Sequence, residues 1–138
     1  MPTTKHTEKK ATNSRITKAD AVAVSNGVIS ATLQSHNQTP RKVRLVSDLV
    51  KGKKVQDALV ALQFLPKRAA EPIAKLIKSA VANAKVAGEN VDALKVQSIT
   101  VESAGMLKKY MPRAFGRASL IRRRKSRVKV TLAAPASK

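Results

Sequence analysis

Beyond Glu102 the chain carries no acidic residue, yet its last 36 positions hold eleven Lys and Arg. Nine of them crowd between Ala104 and Arg127: Lys108, Lys109, Arg113, Arg117, Arg122, Arg123, Arg124, Lys125 and Arg127. In water such a stretch repels itself and gains nothing from compaction. A sequence that keeps it is built to meet a dense field of negative charge. Arg outnumbers Lys six to three here, which favours phosphate, because the guanidinium fork takes two phosphate oxygens at once.

The rest of the composition narrows the choice. Over 138 residues, 28 Lys and Arg face 8 Asp and Glu, a formal charge of +20. Apolar residues make up 43% of the chain, enough for a small core and too many for wholesale disorder. With no Cys, disulfide scaffolds, thiolate metal sites and Cys nucleophiles are excluded. His6 and His36 stand in polar surroundings and the acids are scattered, so a catalytic triad, a paired-carboxylate site or a metal centre is not expected; nor is any cofactor. The aromatics are Phe64, Tyr110 and Phe115 alone, too few for a sheet that stacks RNA bases on rings. The apolar runs are too short to span a bilayer, and Leu120 and Ile121 are too sparse for a membrane-surface anchor. The expected partner is a polyanion.

Along the chain, residues 1–18 read as a flexible basic extension, residues 19–133 as one α+β domain, and residues 134–138 as a short tail. Val28 to about Ser35 is a strand; whether Ala21 to Val24 pairs with it is left open by the turn-like Ser25-Asn26-Gly27. Thr39-Pro40 opens a helix, with Thr39 expected to cap the free amides and Pro40 at the first helical position. This helix runs to about Lys51, with Val43, Val46, Leu49 and Val50 as its apolar stripe and Leu45 at the edge. Arg41, Lys42 and Arg44 occupy its first turn, where cations oppose the helix dipole at about 0.3–1 kcal/mol each. An anion bound there reverses that sign.

Val55, Ala58, Leu59 and Leu62 mark a second helix ending near Phe64. A third, from about Lys67 to Ala87, buries Ile73, Leu76, Ile77, Ala80, Val81 and Ala84. Pro72 implies a kink in it, or a start nearer Glu71. Asn83, set among alanines, is either a satisfied core amide or an RNA contact. Leu94 to Ser103 is a strand whose apolar phase switches between Val96 and Ile99, which predicts a bulge near Gln97-Ser98. Ser126 to Ala133 is another, with Val128, Val130 and Leu132 inward. The two dozen residues between them are best read as extensions of both strands into a hairpin arm over residues 104–125, about 30 Å long at roughly 3.3 Å per residue. An isolated two-stranded ribbon is marginal in water, so its stability comes from what it touches.

The arm also carries the sharpest motif. Met111-Pro112-Arg113-Ala114-Phe115-Gly116-Arg117-Ala118, followed by Ile121-Arg122-Arg123-Arg124-Lys125-Ser126, resembles the tip and return strand of the universal large-subunit ribosomal protein twenty-two family. Thr39 to Val46 is similar to that family's opening helix, and Lys78 to Ala84 to the end of its long helix. The resemblance spans about residues 28 to 132 and excludes the region before Ala21. It implies three helices on a small three-stranded antiparallel sheet with an extended β-hairpin arm, and a non-catalytic constituent of the large ribosomal subunit in the cytoplasm. It further implies a body near the mouth of the peptide exit tunnel, an arm threaded through large-subunit ribosomal RNA, and a part in subunit assembly. The implied partners are that RNA, neighbouring large-subunit proteins and the nascent peptide, with no membrane and no homo-oligomer. Carried onto this chain, Arg41, Lys42 and Arg44 form the body's RNA face. Lys108, Lys109, Arg113, Arg117, Arg122, Arg123, Arg124, Lys125 and Arg127 hold phosphate along the arm, and Met111, Pro112, Arg113, Ala114, Phe115 and Gly116 form the tunnel tip. Phe115 stands where the family varies, and either stacks on a base or protrudes into the tunnel. Arg127 replaces a frequent His and suits a phosphate equally. The competing class is a free DNA-compacting protein with its arm in a groove; it accounts for the charge but not for three ordered blocks.

Overall fold

The computed structural model describes residues 28–133. The expected basic extension over residues 1–18, the pairing of Ala21 to Val24, and the tail over residues 134–138 lie outside them. Strand β1 (Val28–His36) is followed by helices α1 (Pro40–Val50), α2 (Val55–Gln63) and α3 (Ala70–Val86). A short 3-10 turn (Val91–Ala93) then leads into the long strands β2 (Lys95–Pro112) and β3 (Ala118–Ala133). The sheet order is β1-β3-β2, antiparallel throughout. The returning strand therefore enters the middle of the sheet, between the two edges laid down earlier.

Side-chain alternation sets which face is buried. Along β3, Ser126, Val128, Val130 and Leu132 are buried while Arg127 and Lys129 are exposed, as a period of two requires when one face is packed. Ile29 and Ala31 from β1 and Val96 and Val101 from β2 join that inner face. Helix α3 covers β1 and β3, α1 covers β2 and β3, and α2 packs against α3. The core is almost wholly aliphatic, with Ile29, Ile73, Ile77, Leu94 and Leu132 its largest fully buried side chains. The body end of β2 is shielded on its outer edge by the loop before α2: Gly52 N–H donates to Val96 C=O at 2.9 Å, and Val96 N–H returns a bond to Lys53 C=O at 2.9 Å. These two bonds cover the outer edge at Val96, where β2 begins.

Two expectations for α1 need correction. Thr39 has the extended backbone of a cap residue, but its side chain makes no capping hydrogen bond. The buried stripe is Val43, Val46, Ser47 and Val50; Leu49 is exposed, as is Leu45. At 3.6 residues per turn, Leu49 lies roughly 120° around the helix from Val43, whereas Ser47 lies roughly 40° away. Ser47 tolerates burial because its Oγ donates to the Val43 carbonyl one turn back, at 3.1 Å. The ambiguity at Pro72 resolves to a start at Ala70, which places Pro72 in the first turn, where its missing N–H costs no helical bond. The bulge appears where the apolar phase switches, as a register shift between Val96 and Ser98.

Asn83, half-buried on α3, makes a bond within the protein. Its Nδ2 donates to the Ser30 carbonyl at 3.3 Å, tying α3 to the edge strand β1.

Candidate nucleic-acid interface

Strands β2 and β3 do not stop at the edge of the body. Their ladder continues without a third strand from Met106↔Arg124 to Pro112↔Ala118, and every residue from Gly105 to Ala118 is exposed. This is the expected arm. It is built from the same two strands that form the centre and one edge of the sheet, so its root is fixed by the core although its length buries nothing. A second register shift, between Ser103 and Met106, marks the root. Gly105 takes φ +93° there, a conformation that costs an L side chain about 1–2 kcal/mol and that glycine adopts freely.

The cross-strand pairs of the arm are wrong for a self-sufficient ribbon. Lys108 stands opposite Arg122, and Leu107, Lys109 and Met106 stand opposite Arg123, Ile121 and Arg124. Like charges directly opposite destabilise a pair. Among the described residues the one ion pair is Lys75 Nζ to Glu71 Oε1 at 2.7 Å on α3, exposed and four residues apart. Its hydrogen bond and charge hold the Glu71 carboxyl below its ordinary range. Among the described residues no acid pairs with a cation of the arm.

Between the arm root and the body lies a groove of about 650 Å³, lined by Asn37, Gln38, Thr39, Lys42, Arg68, Leu107, Lys109, Arg122, Arg123, Arg124 and Lys125. It gathers cations from three places far apart in sequence: the first turn of α1, the segment before α3, and both strands of the arm. Six of the residues expected to hold phosphate line it: Lys42, Lys109, Arg122, Arg123, Arg124 and Lys125. The first turn of α1 contains no acid, so the positive end of the helix dipole adds to this field. Arg68 belongs to the same groove and was missed, because a lone Arg in the loop before α3 has no periodicity or motif to mark it.

Other expected residues lie elsewhere. Arg41 and Lys108 are exposed but do not line the groove. Arg44 donates through Nη2 to the Val101 carbonyl at 3.0 Å; it braces α1 against β2 and has that much less freedom to reach a ligand. Arg127 lies in the body sheet, across the ladder from Glu102. Arg113 and Arg117 close the tip: Arg113 N–H donates to Arg117 C=O at 2.7 Å, and Arg113 Nε donates to Ser119 Oγ at 3.0 Å. Within this turn Phe115 takes φ 57° and Gly116 φ 66°, and Phe115 is 98% exposed. Met111, Pro112 and Ala114 are also exposed. No cluster of three metal-ligating side chains occurs among the described residues, and no helix of theirs is long and apolar enough to cross a membrane.

A small aliphatic α+β body, a cationic groove and an acid-free ribbon define the class of protein this chain is: a basic, arm-bearing α+β protein. Comparison with known proteins gives this class its family. Ribosomal protein L22p/L17e matches residues 31–133. The chain is 52% identical over 104 residues to a protein of Pelobacter propionicus, covering 75% of this chain and 94% of that one. It is 50% identical over 105 residues to one of Geobacter sulfurreducens, covering 75% and 95%, and 52% identical over 95 residues to one of Desulfitobacterium hafniense, covering 68% and 83%. Each of these relatives bears the name large ribosomal subunit protein uL22. The chain belongs to the ribosomal protein L22p/L17e family, whose members are structural ribosomal proteins and not enzymes.

Proposed function

We propose that this chain is a structural constituent of the large ribosomal subunit in the cytoplasm, clamping large-subunit ribosomal RNA between its body and its arm. The observation that carries this is the groove: Lys42, Arg68, Lys109 and Arg122 to Lys125 converge on one concavity with no acid among its lining residues. Its partner is a bent phosphodiester backbone rather than a set of bases, because the lining offers ammonium and guanidinium donors and no aromatic ring. Clamping at the root fixes the angle at which the arm leaves the body, and the arm then runs through folded RNA that screens Lys108 from Arg122. The body sits near the mouth of the peptide exit tunnel, and the tip, Met111 to Gly116, contributes to the tunnel wall. By joining RNA segments at its root to others along its arm, the protein supports subunit assembly. Neighbouring large-subunit proteins are its other partners.

Sedimentation tests this directly. The chain is expected to remain with large subunits after a high-salt wash, since a clamp closed by many simultaneous contacts leaves slowly. Release together with loosely held cationic proteins, or recovery with DNA in place of subunits, overturns the assignment.

A further inference from the structure

The arm's tip contains a side chain that neither the groove nor phosphate binding explains. Phe115 is the most exposed large apolar residue among those described, at 98%, and the only non-glycine residue among them with positive φ, at 57°. A β-branched or bulky residue is unusual in the left-handed region, and such a conformation costs on the order of 1 kcal/mol unless its surroundings hold it. Here they do: the 2.7 Å backbone bond from Arg113 to Arg117 closes the turn around Ala114, Phe115 and Gly116, and the bond from Arg113 Nε to Ser119 Oγ braces it from the side. The turn therefore spends backbone strain and apolar exposure to carry a rigid ring outward at the end of the arm, with a guanidinium side chain two residues away on each side.

We propose that Phe115 stacks on an unpaired nucleobase of the large-subunit RNA and so fixes the tip, an inference that rests on the proposed path of the arm through that RNA. A ring with neither face covered suits the face of a base, and base–aromatic stacking contributes about 1–3 kcal/mol irrespective of base identity. Arg113 and Arg117 then take the phosphates on either side of the stacked nucleotide. A passing nascent peptide fits this turn less well. It offers no permanent flat partner, and two flanking guanidinium groups would attract its acidic side chains and slow it.

The test uses large subunits assembled with the full chain carrying Phe115, Phe115→Leu or Phe115→Trp, none of which alters the cationic groove. Two readouts are taken: hydroxyl-radical protection of the RNA backbone, which follows the arm, and 2′-hydroxyl acylation, which follows the mobility of single nucleotides. The expected result is unchanged backbone protection in all three. One or two nucleotides at the end of the protected track become several-fold more reactive to acylation with Leu and return to the original level with Trp. Equal acylation with Phe and Leu, on an intact protected track, overturns the stack and leaves the arm's path standing. Absence of a protected track in the unaltered subunit overturns the path and the stack together. A photoreactive phenylalanine analogue at position 115 is expected to crosslink to RNA; crosslinking to the nascent chain instead also overturns the proposal.

Discussion

Lys108 and Arg122 are direct partners across the antiparallel ladder of the arm, two cations facing each other in a ribbon that buries none of its residues from Gly105 to Ala118. Cross-strand pairs are worth about 0.2–1 kcal/mol, with like charges on the unfavourable side. In the free chain the arm should therefore open readily while the body stays closed. Hydrogen exchange is expected to show little protection between Gly105 and Ala118 and strong protection from Val128 to Leu132. Arg122→Glu places opposite charges across the same rung, so it should raise arm protection in the free protein while lowering affinity for large-subunit RNA. The two effects have opposite signs. If the substitution lowers both, the arm is held by its own contacts and the charge argument fails.

Reversal of all three cations, Arg122, Arg123 and Arg124 to Glu, removes the arm's share of the groove. Each phosphate contact contributes about 0.7–0.9 to the slope of log affinity against log salt, so the triple variant should lose roughly 2–3 from that slope. Its incorporation into subunits should fail, as read by sedimentation. A normal slope with normal incorporation would show that these side chains face solvent in the particle.

Arg68 provides a narrower check, since only the folded groove puts it beside Lys42 and the arm. Arg68→Ala is expected to weaken RNA binding and lower the salt slope by just under one, with thermal stability unchanged because the side chain is exposed. Wild-type affinity in this variant would confine the interface to the arm.

How much of this was legible beforehand follows from what each feature leaves in a sequence. The arm announced itself because acids vanish while arginines accumulate, and because Pro112 and Gly116 punctuate the turn. The three helices were marked by their periodic aliphatic residues, and the bulge at Gln97 by the phase switch from Val96 to Ile99. The second bulge left no such trace: Glu102, Ser103, Ala104 and Gly105 are not core residues, so no alternation exists there to change phase. The groove was half legible. Its arm and α1 residues carried a resemblance, but Arg68 enters only through tertiary packing, and the attachment of Arg44 to the Val101 carbonyl depends on where α1 crosses β2. Thr39 and Leu49 misled for a common reason: local rules name the residues able to cap or line a helix, and packing chooses among them.

Asn83 separates structural from RNA-binding roles on α3. Its amide reaches the Ser30 carbonyl at 3.3 Å, so Asn83→Ala should cost about 0.5–1.5 kcal/mol of stability, the usual worth of one such bond. Denaturant unfolding would show the loss as a lower midpoint at constant slope, and RNA affinity at a temperature well below unfolding should not move. Reduced affinity without reduced stability would put the side chain on RNA.

Ser126 sits where the three strands meet at the base of the arm, opposite Ser103 on one side and His36 on the other. It is fully buried, and its Oγ has no hydrogen-bond partner among the described residues. A buried hydroxyl without a partner costs about 1–3 kcal/mol relative to one that is satisfied. Ser126→Ala removes the unsatisfied hydroxyl and leaves a small apolar side chain in its place, so the variant should be as stable as the parent or more so. Ser126→Val replaces the hydroxyl with a methyl group and adds a second methyl to a closed junction, so it should destabilise by about 1–3 kcal/mol through overpacking. Paired thermal unfolding curves decide it: a clear loss in the Ala variant would mean that the hydroxyl is bonded in solution and helps set the root of the arm.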